Sequence, residues 1–282
     1  MILVTGAAGK SGQAVIKALA ERGQAVRALV RRPEQEAAVR EAGAQSAVAG
    51  DMRDEQKVLE AAQGARAIYH IAPNMSSDEV PMGRVALDAA RQAGLQHFVY
   101  HSVLHPQTSD MPHQWDKLRV EEMILKSGLP FTILQPAAYM QNVRGSWNEI
   151  TSKGIYPVPY PTTTRLSLVD LRDVAEIACR VLTEAGHEGA IYELSGTRPI
   201  SPEEIASVLS RLLSQSVRAE EVPLRTWRRR AESAGTPPAV VERLLQMFRY
   251  YAAHGFVGNP RVLTALLGRE PAPLEAFIRR LL

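Results

Sequence analysis

The sequence predicts an α/β fold: a doubly wound parallel sheet with a smaller, mostly helical C-terminal lobe. Three observations predict it. Short apolar runs alternate with amphipathic stretches through the first half of the chain. A glycine-rich turn follows the first apolar run directly and opens the first amphipathic stretch. Near residue 137 the rhythm breaks, and later stretches read mostly as helix. Strands separated by helices of this length imply crossover units and a parallel sheet. Such strands are covered on both faces, which accounts for continuous apolar runs in place of strict alternation.

In order, the expected strands are Ile2 to Thr5, Ala25 to Val30, Gln45 to Ala49, Ala67 to Ala72, His97 to Ser102 and Phe131 to Gln135. The helical stretches between them include Gln13 to Arg22, Glu34 to Ala42, Glu55 to Gln63 and Glu79 to Ala93. This divides the chain into a core over 1–136 and a substrate-side lobe over 137–282. The lobe interleaves with the core through a returning strand near 190–195. Pro157, Pro159 and Pro161 crowd one loop of that lobe, and twelve of the 16 aromatic residues fall in residues 130–282. A lobe closing the crevice at the strands' carboxyl ends would shape an apolar pocket; ordinary core packing accounts for the same aromatics.

The 282 residues are 45% hydrophobic and 22% charged, an ordinary globular composition long enough to bury a core without staples. The one cysteine, Cys179, excludes an intrachain disulfide and a cysteine-rich zinc site, and its apolar helical context reads as burial. A net charge of +3 is spread along the chain, so no nucleic acid is expected as a direct partner. The densest patch, Arg225, Arg228, Arg229 and Arg230 beside Trp227, reads as a solvated helix face. Ile2-Leu3-Val4 follows Met1 with no basic n-region, and no apolar run approaches the ~20 residues of a membrane span. A soluble cytoplasmic protein with no membrane partner is expected. His97, His101, His105 and His113 lie close in sequence, but an extended strand through the first of them would hold them too far apart to share an ion, so no metal is expected. No G-x-S-x-G elbow or G-x-x-x-x-G-K-[ST] loop supports a hydrolase or a nucleotide triphosphatase.

The strongest motif is Thr5-Gly6-Ala7-Ala8-Gly9-Lys10-Ser11-Gly12, between a strand and a helix. Gly6 permits the tight turn, Gly9 lets backbone approach a pyrophosphate, and Gly12 lets helix and strand pack closely. The helix N-terminus adds free N–H groups and positive dipole. The second strand ends in Arg31-Arg32-Pro33, with no acid to hold a ribose 2′-hydroxyl. Guanidinium groups pair bidentately with a 2′-phosphate, which favours NADP(H) over NAD(H). Asp51 and Met52, after the third strand, suit the adenine, although an Asp there also caps loops. Ile71, Ala72 and Pro73 after the fourth strand are small and apolar enough to line a cofactor groove.

These residues resemble the NmrA-like branch of the atypical short-chain dehydrogenases. The resemblance rests on T-G-x-x-G-x-x-G, V-R-A-L-V-R-R-P, G-D-M-R-D, F-T-I-L-Q-P-A-A-Y-M-Q-N, L-V-D-L-R-D-V-A-E and the tail Leu267-Gly268-Arg269-Glu270-Pro271, and it spans nearly the whole chain. It implies a Rossmann domain, a small C-terminal lobe and a bound nicotinamide dinucleotide. Members include NAD(P)H-dependent quinone, dye and phenylpropanoid reductases, and also redox sensors or co-regulators with little catalysis. The resemblance places Ser102 where the family serine sits, and Lys117 on the lysine of Tyr-x-x-x-Lys; His113 stands in place of the tyrosine. Lys117 would hydrogen-bond the nicotinamide ribose, and His113, one turn away on the same helix face, would donate a proton. A helix-start histidine without a catalytic task is the plainer reading of His113. Pro136 joins the cofactor-binding candidates, and Tyr139 and Asn142 the substrate pocket; a helix N-terminal region packing on the sheet accounts for Tyr139 and Asn142 equally well. The expected function is NADPH-dependent reduction of a quinone-like or other conjugated apolar acceptor, with a non-catalytic NAD(P)(H)-binding redox sensor as the alternative. A small apolar or aromatic substrate is the expected partner; a homodimer or protein partner has no residue-level signal.

Overall fold

In the computed structural model, which describes residues 1–282, strands and helices alternate from the first residues onward. The order is β1 (Ile2–Val4), α1 (Lys10–Glu21), β2 (Val26–Val30), α2 (Glu36–Glu41), β3 (Ser46–Ala49), α3 (Glu55–Ala62), β4 (Ala67–His70), α4 (Glu79–Gln92), β5 (His97–His101), α5 (Pro112–Leu125) and β6 (Phe131–Pro136). Then follow β7 (Ala138–Tyr139), a 3-10 segment over Met140–Ser146, α6 (Trp147–Lys153), β8 (Ile155–Val158), β9 (Leu168–Val169), α7 (Leu171–Thr183) and β10 (Ala190–Leu194). The chain ends in α8 (Pro202–Leu213), β11 (Arg218–Glu221), α9 (Leu224–Ser233), α10 (Pro238–His254), α11 (Arg261–Leu267) and α12 (Leu274–Arg279).

Seven strands form one parallel sheet in the order β10-β6-β5-β4-β1-β2-β3. Chain order reverses between β1 and β4, so a crevice opens at the carboxyl end of β1, where such sheets bind ligands. Ile2, Leu3, Val4, Phe98 and Tyr100 are fully buried. The edge strand β3 is half-buried along its length, unlike the two-sided burial expected of it. Small residues let the covering helices approach closely: Ala61 and Ala62 of α3 and Ala86, Ala89 and Ala90 of α4 join one apolar cluster with Ile68 and Phe98.

Two compact units divide the chain. The first holds residues 1–107, 113–135 and 174–192; the second holds 108–112, 136–173 and 193–282. Relative to a division at 136/137, the second unit takes in residues 108–112 and 136, and the first takes in 174–192. Backbone pairing accounts for the return: the Gly189 N–H donates to the Phe131 carbonyl at 2.7 Å, which seats β10 beside β6. In the second unit, Trp227 of α9 meets Phe248 of α10 edge-on with ring centroids 4.7 Å apart, and Tyr160 packs on the same cluster. Many of the late aromatics are thus core. No helix is long and apolar enough to cross a membrane.

Candidate functional site

The turn after β1 is shaped by backbone crowding. Gly6 adopts φ +56°, and a Cβ there would lie 2.5 Å from the Ile71 carbonyl oxygen after β4. A Cβ on Gly12 would meet the Gly6 carbonyl at 2.5 Å and the Ala7 Cα at 2.7 Å. Thr5, at the end of β1, ties the turn to β4: the Ile71 N–H donates to Thr5 Oγ1 at 2.9 Å, and His70 Nδ1 lies 2.9 Å from the same oxygen. Gly9 is the N-cap of α1 and supplies no side-chain acceptor. The first N–H groups of the helix, at Lys10, Ser11 and Gly12, are left for an anion. Ala7 is buried beneath the turn, whereas Gly9 and Lys10 are exposed. This cradle, closed to a Cβ at Gly6 and Gly12 and lined by free N–H groups, fits the pyrophosphate of a dinucleotide.

Beyond β2, Arg31 and Arg32 are exposed, and neither guanidinium is engaged in an ion pair. Their backbone N–H groups both donate to Gln35 Oε1 at 3.1 Å, which folds the loop back and leaves the side chains outside. Since Val30 pairs with Ala49, Arg31 and Asp51 lie on adjacent strand ends. Asp51 is held by Arg53, whose Nη2 donates to Oδ2 at 2.7 Å and whose Nε donates to Oδ1 at 3.0 Å. Those hydrogen bonds lower the Asp51 carboxyl to about 2, with Arg31 assisting from a distance. Met52 is half-buried and packs on the apolar cluster under the sheet. Ile71 and Ala72 are buried, and Pro73 is exposed.

The ends of β4 and β5 carry a buried polar cluster. Lys117, on α5, donates to Glu79 Oε1 at 3.0 Å and to the His101 carbonyl at 3.1 Å. The Tyr100 hydroxyl donates to the same Glu79 oxygen at 2.7 Å. Ser102 donates to Glu121, which also accepts Gln135 Nε2 on both oxygens at 3.0 and 3.1 Å. Burial pushes the Glu121 carboxyl above its usual range, opposed by the Ser102 and Gln135 hydrogen bonds. His70 and His101 are lowered to about 3, chiefly by burial and also by repulsion from Lys117. His113, one turn before Lys117, is buried, as is Pro136 at the end of β6. Gln114 is fully buried with its carboxamide unpartnered, a cost of about 1–3 kcal/mol for an unmade hydrogen bond.

Sequence reasoning singled out Ser102 and Lys117 but missed Glu79, Tyr100, Glu121 and Gln135. A signal was present. Glu79 sits on the buried stripe of α4 with Met82, Gly83 and Ala86, and Gln114 and Glu121 on that of α5 with Lys117 between them. Polar residues on a core-facing stripe must find partners or a task. His97 bonds Thr132 and His101 bonds Tyr69, so these two histidines face different partners. Cys179 is buried on α7, its Sγ 3.5 Å from the Ala18 carbonyl, and burial raises its thiol.

In the second unit, Tyr139 is half-buried where β7 pairs with β9, and Asn142 is exposed on the 3-10 segment. Gln141 between them donates to Asp170 Oδ1 at 2.8 Å and accepts the Leu171 N–H. Asp170 is fully buried and is also paired with Arg280 of the C-terminal tail.

Residues 1–278 match the model of the NmrA-like family. The chain belongs to that family. Among NmrA-like relatives, it is 36% identical to the (4-alkanoyl-5-oxo-2,5-dihydrofuran-3-yl)methyl phosphate reductase of Streptomyces griseus, over 98% of this chain and 95% of the relative. It is 29% identical to the NAD(P)H azoreductase of Xenophilus azovorans, over 99% of this chain and 97% of the relative. A crystal structure of an NADPH-dependent quinone oxidoreductase from Escherichia coli, complexed with NADPH, superimposes with a TM-score of 0.86 at 26% identity, covering 100% of this chain and 99% of that one. The seven-stranded parallel Rossmann sheet is thus common to this chain and a nicotinamide-dependent NmrA-like enzyme.

Proposed function

We propose that the protein is an NADPH-dependent reductase of a quinone-like or other conjugated apolar acceptor. The glycine cradle at the sheet's switch point carries this reading, because it presents unpaired helix N–H groups where a pyrophosphate lies in such folds. Arg31 and Arg32, exposed and unpaired, would hold a 2′-phosphate and favour NADP(H) over NAD(H). Lys117 has two of its three N–H groups committed to the protein and would give the third to the nicotinamide ribose. Asp51, Met52, Ile71, Ala72, Pro73 and Pro136 would line the groove. When bound, the nicotinamide supplies a hydride, and the chain's task is to orient donor and acceptor. His113 is the candidate proton donor, with water as the other source for a quinone. Tyr139 and Asn142 would contact the acceptor. The relatives' names support this acceptor class: an azo bond, a quinone and an unsaturated furanone are all conjugated.

One observation favours a second reading, a redox sensor without turnover. Ser102 and Lys117 are both tied to buried carboxylates, and no tyrosine stands at 113. The two readings separate in one experiment. Purified protein is titrated with NADPH, NADP⁺ and NADH, and NADPH oxidation is followed with a quinone, azo and enone panel. Tight NADPH binding with turnover supports the reductase. Affinity that differs between NADPH and NADP⁺ without turnover supports the sensor, since equal affinity reports no redox ratio. Binding of no nucleotide overturns both.

A further inference from the structure

Glu79 is an acid that the fold buries almost completely, at the first residue of α4. Its Oε1 accepts from Lys117 and from the Tyr100 hydroxyl, and Tyr100 has no solvent exposure. The Lys117 ammonium lies 5.3 Å from the centre of the Tyr100 ring, so the aromatic face and the carboxylate confine it together. A buried ion pair is weak support for stability, because desolvation consumes most of its attraction and apolar pairs do as well. The arrangement does something else for the ammonium, however: Glu79 and the His101 carbonyl fix two N–H directions, and tetrahedral geometry then fixes the third.

We propose that Glu79 is a positioning residue, holding Lys117 by its carboxylate so that the remaining N–H meets the nicotinamide ribose. The proposal rests on the reading of Lys117 as the ribose lysine. Several ionisable groups lie around the ammonium. From α4 there is Glu79; from β5, Tyr100 and His101; from β4, His70; from α5, Asp116 and Glu121. The two histidines stay neutral at ordinary pH, and of the carboxylates Glu79 is the one bonded directly to the ammonium.

The test uses the whole protein and two ligands, NADPH and adenosine 2′,5′-bisphosphate, which lacks the nicotinamide ribose. Glu79→Gln should weaken NADPH binding about tenfold, the low end for a charged hydrogen bond, and leave the bisphosphate within about twofold. Glu79→Asp keeps the charge and should recover most of the NADPH affinity that Glu79→Gln loses; it also serves if Glu79→Gln does not fold. Equal loss for both ligands would mean a merely structural role and overturn the proposal, as would no loss for either. Lys117→Met separates the two levels. If it weakens NADPH selectively while Glu79→Gln does not, the positioning role fails alone; if it has no selective effect, the reading of Lys117 fails and takes the proposal with it.

Discussion

His70 and His101 couple the sheet interior to pH. Burial, with Lys117 adding repulsion, lowers both to about 3 from an ordinary 6.5. Below pH 6.5 the unfolded chain takes up protons that the folded chain refuses. Their contribution to stability is therefore full above pH 6.5 and is lost as pH falls toward 3, by up to about 1.4 kcal/mol per pH unit for each group. Asparagine at 101 keeps an acceptor near the Nδ1 position that Tyr69 uses at 2.6 Å. In His101→Asn, the apparent unfolding free energy measured by urea titration should lose about 1.4 kcal/mol per pH unit of its slope between roughly pH 6 and 4. An unchanged slope would mean that His101 takes up its proton in the folded state. None of this was legible from the residue itself: as a sequence, His97, His101 and His105 read only as a rejected metal pattern. The partners of His101 are 32 residues away at Tyr69 and 16 away at Lys117.

At the scale of the element, β1 and α1 meet through glycines that cannot be enlarged. Gly12→Ala drives a Cβ into the Gly6 carbonyl and the Ala7 Cα, both backbone atoms that have nowhere to go. Overpacking of this kind costs about 1–3 kcal/mol and should displace the α1 N-terminus. A lowered Tm together with at least about tenfold weaker NADPH binding is expected from thermal melts and titration. A helix cap in the second unit provides the contrast. Ser201 accepts the Glu204 N–H while the Glu204 carboxylate accepts the Ser201 N–H, a reciprocal cap for α8. Ser201→Ala should cost about 1 kcal/mol of stability and leave adenosine 2′,5′-bisphosphate binding unchanged. The β1 turn was readable from sequence because its constraint is local, a spacing of glycines between one strand and one helix. Helix and strand centres were readable too, through periodicity, although α1 begins at Lys10 and not Gln13, and β4 stops at His70 short of Ala72. The Glu79–Lys117 pair was not readable, because partners 38 residues apart meet only after the sheet has formed.

For the whole molecule, ligand binding and chain-end anchoring both reach stability. A ligand that binds only the folded state stabilises by about 2.7 kcal/mol at a hundred times its Kd. NADPH should raise the Tm more than NADH at equal concentration, and Arg31→Ala with Arg32→Ala should erase that difference if the two guanidiniums hold the 2′-phosphate. The C-terminal tail is a separate matter, fastened within the second unit. Arg269 Nη2 donates to Asp173 Oδ1 at 2.9 Å, the Ala272 N–H to Asp173 Oδ2 at 2.7 Å, and Arg280 pairs with Asp170. Asp170 also holds Gln141, which stands between Tyr139 and Asn142. Arg280→Ala leaves a fully buried carboxylate with Gln141 and the Arg172 N–H as its hydrogen-bond donors and no cation. Stranding such a charge costs about 3–5 kcal/mol, whereas removing both charges is far milder. Arg280→Ala should therefore destabilise strongly and speed amide exchange through residues 139–142. Asp170→Asn combined with Arg280→Met should restore most of the stability. If the double variant were as unstable as the single, the tail would be held by the apolar packing of Leu274, Phe277 and Ile278, and the ion pair would be incidental to it.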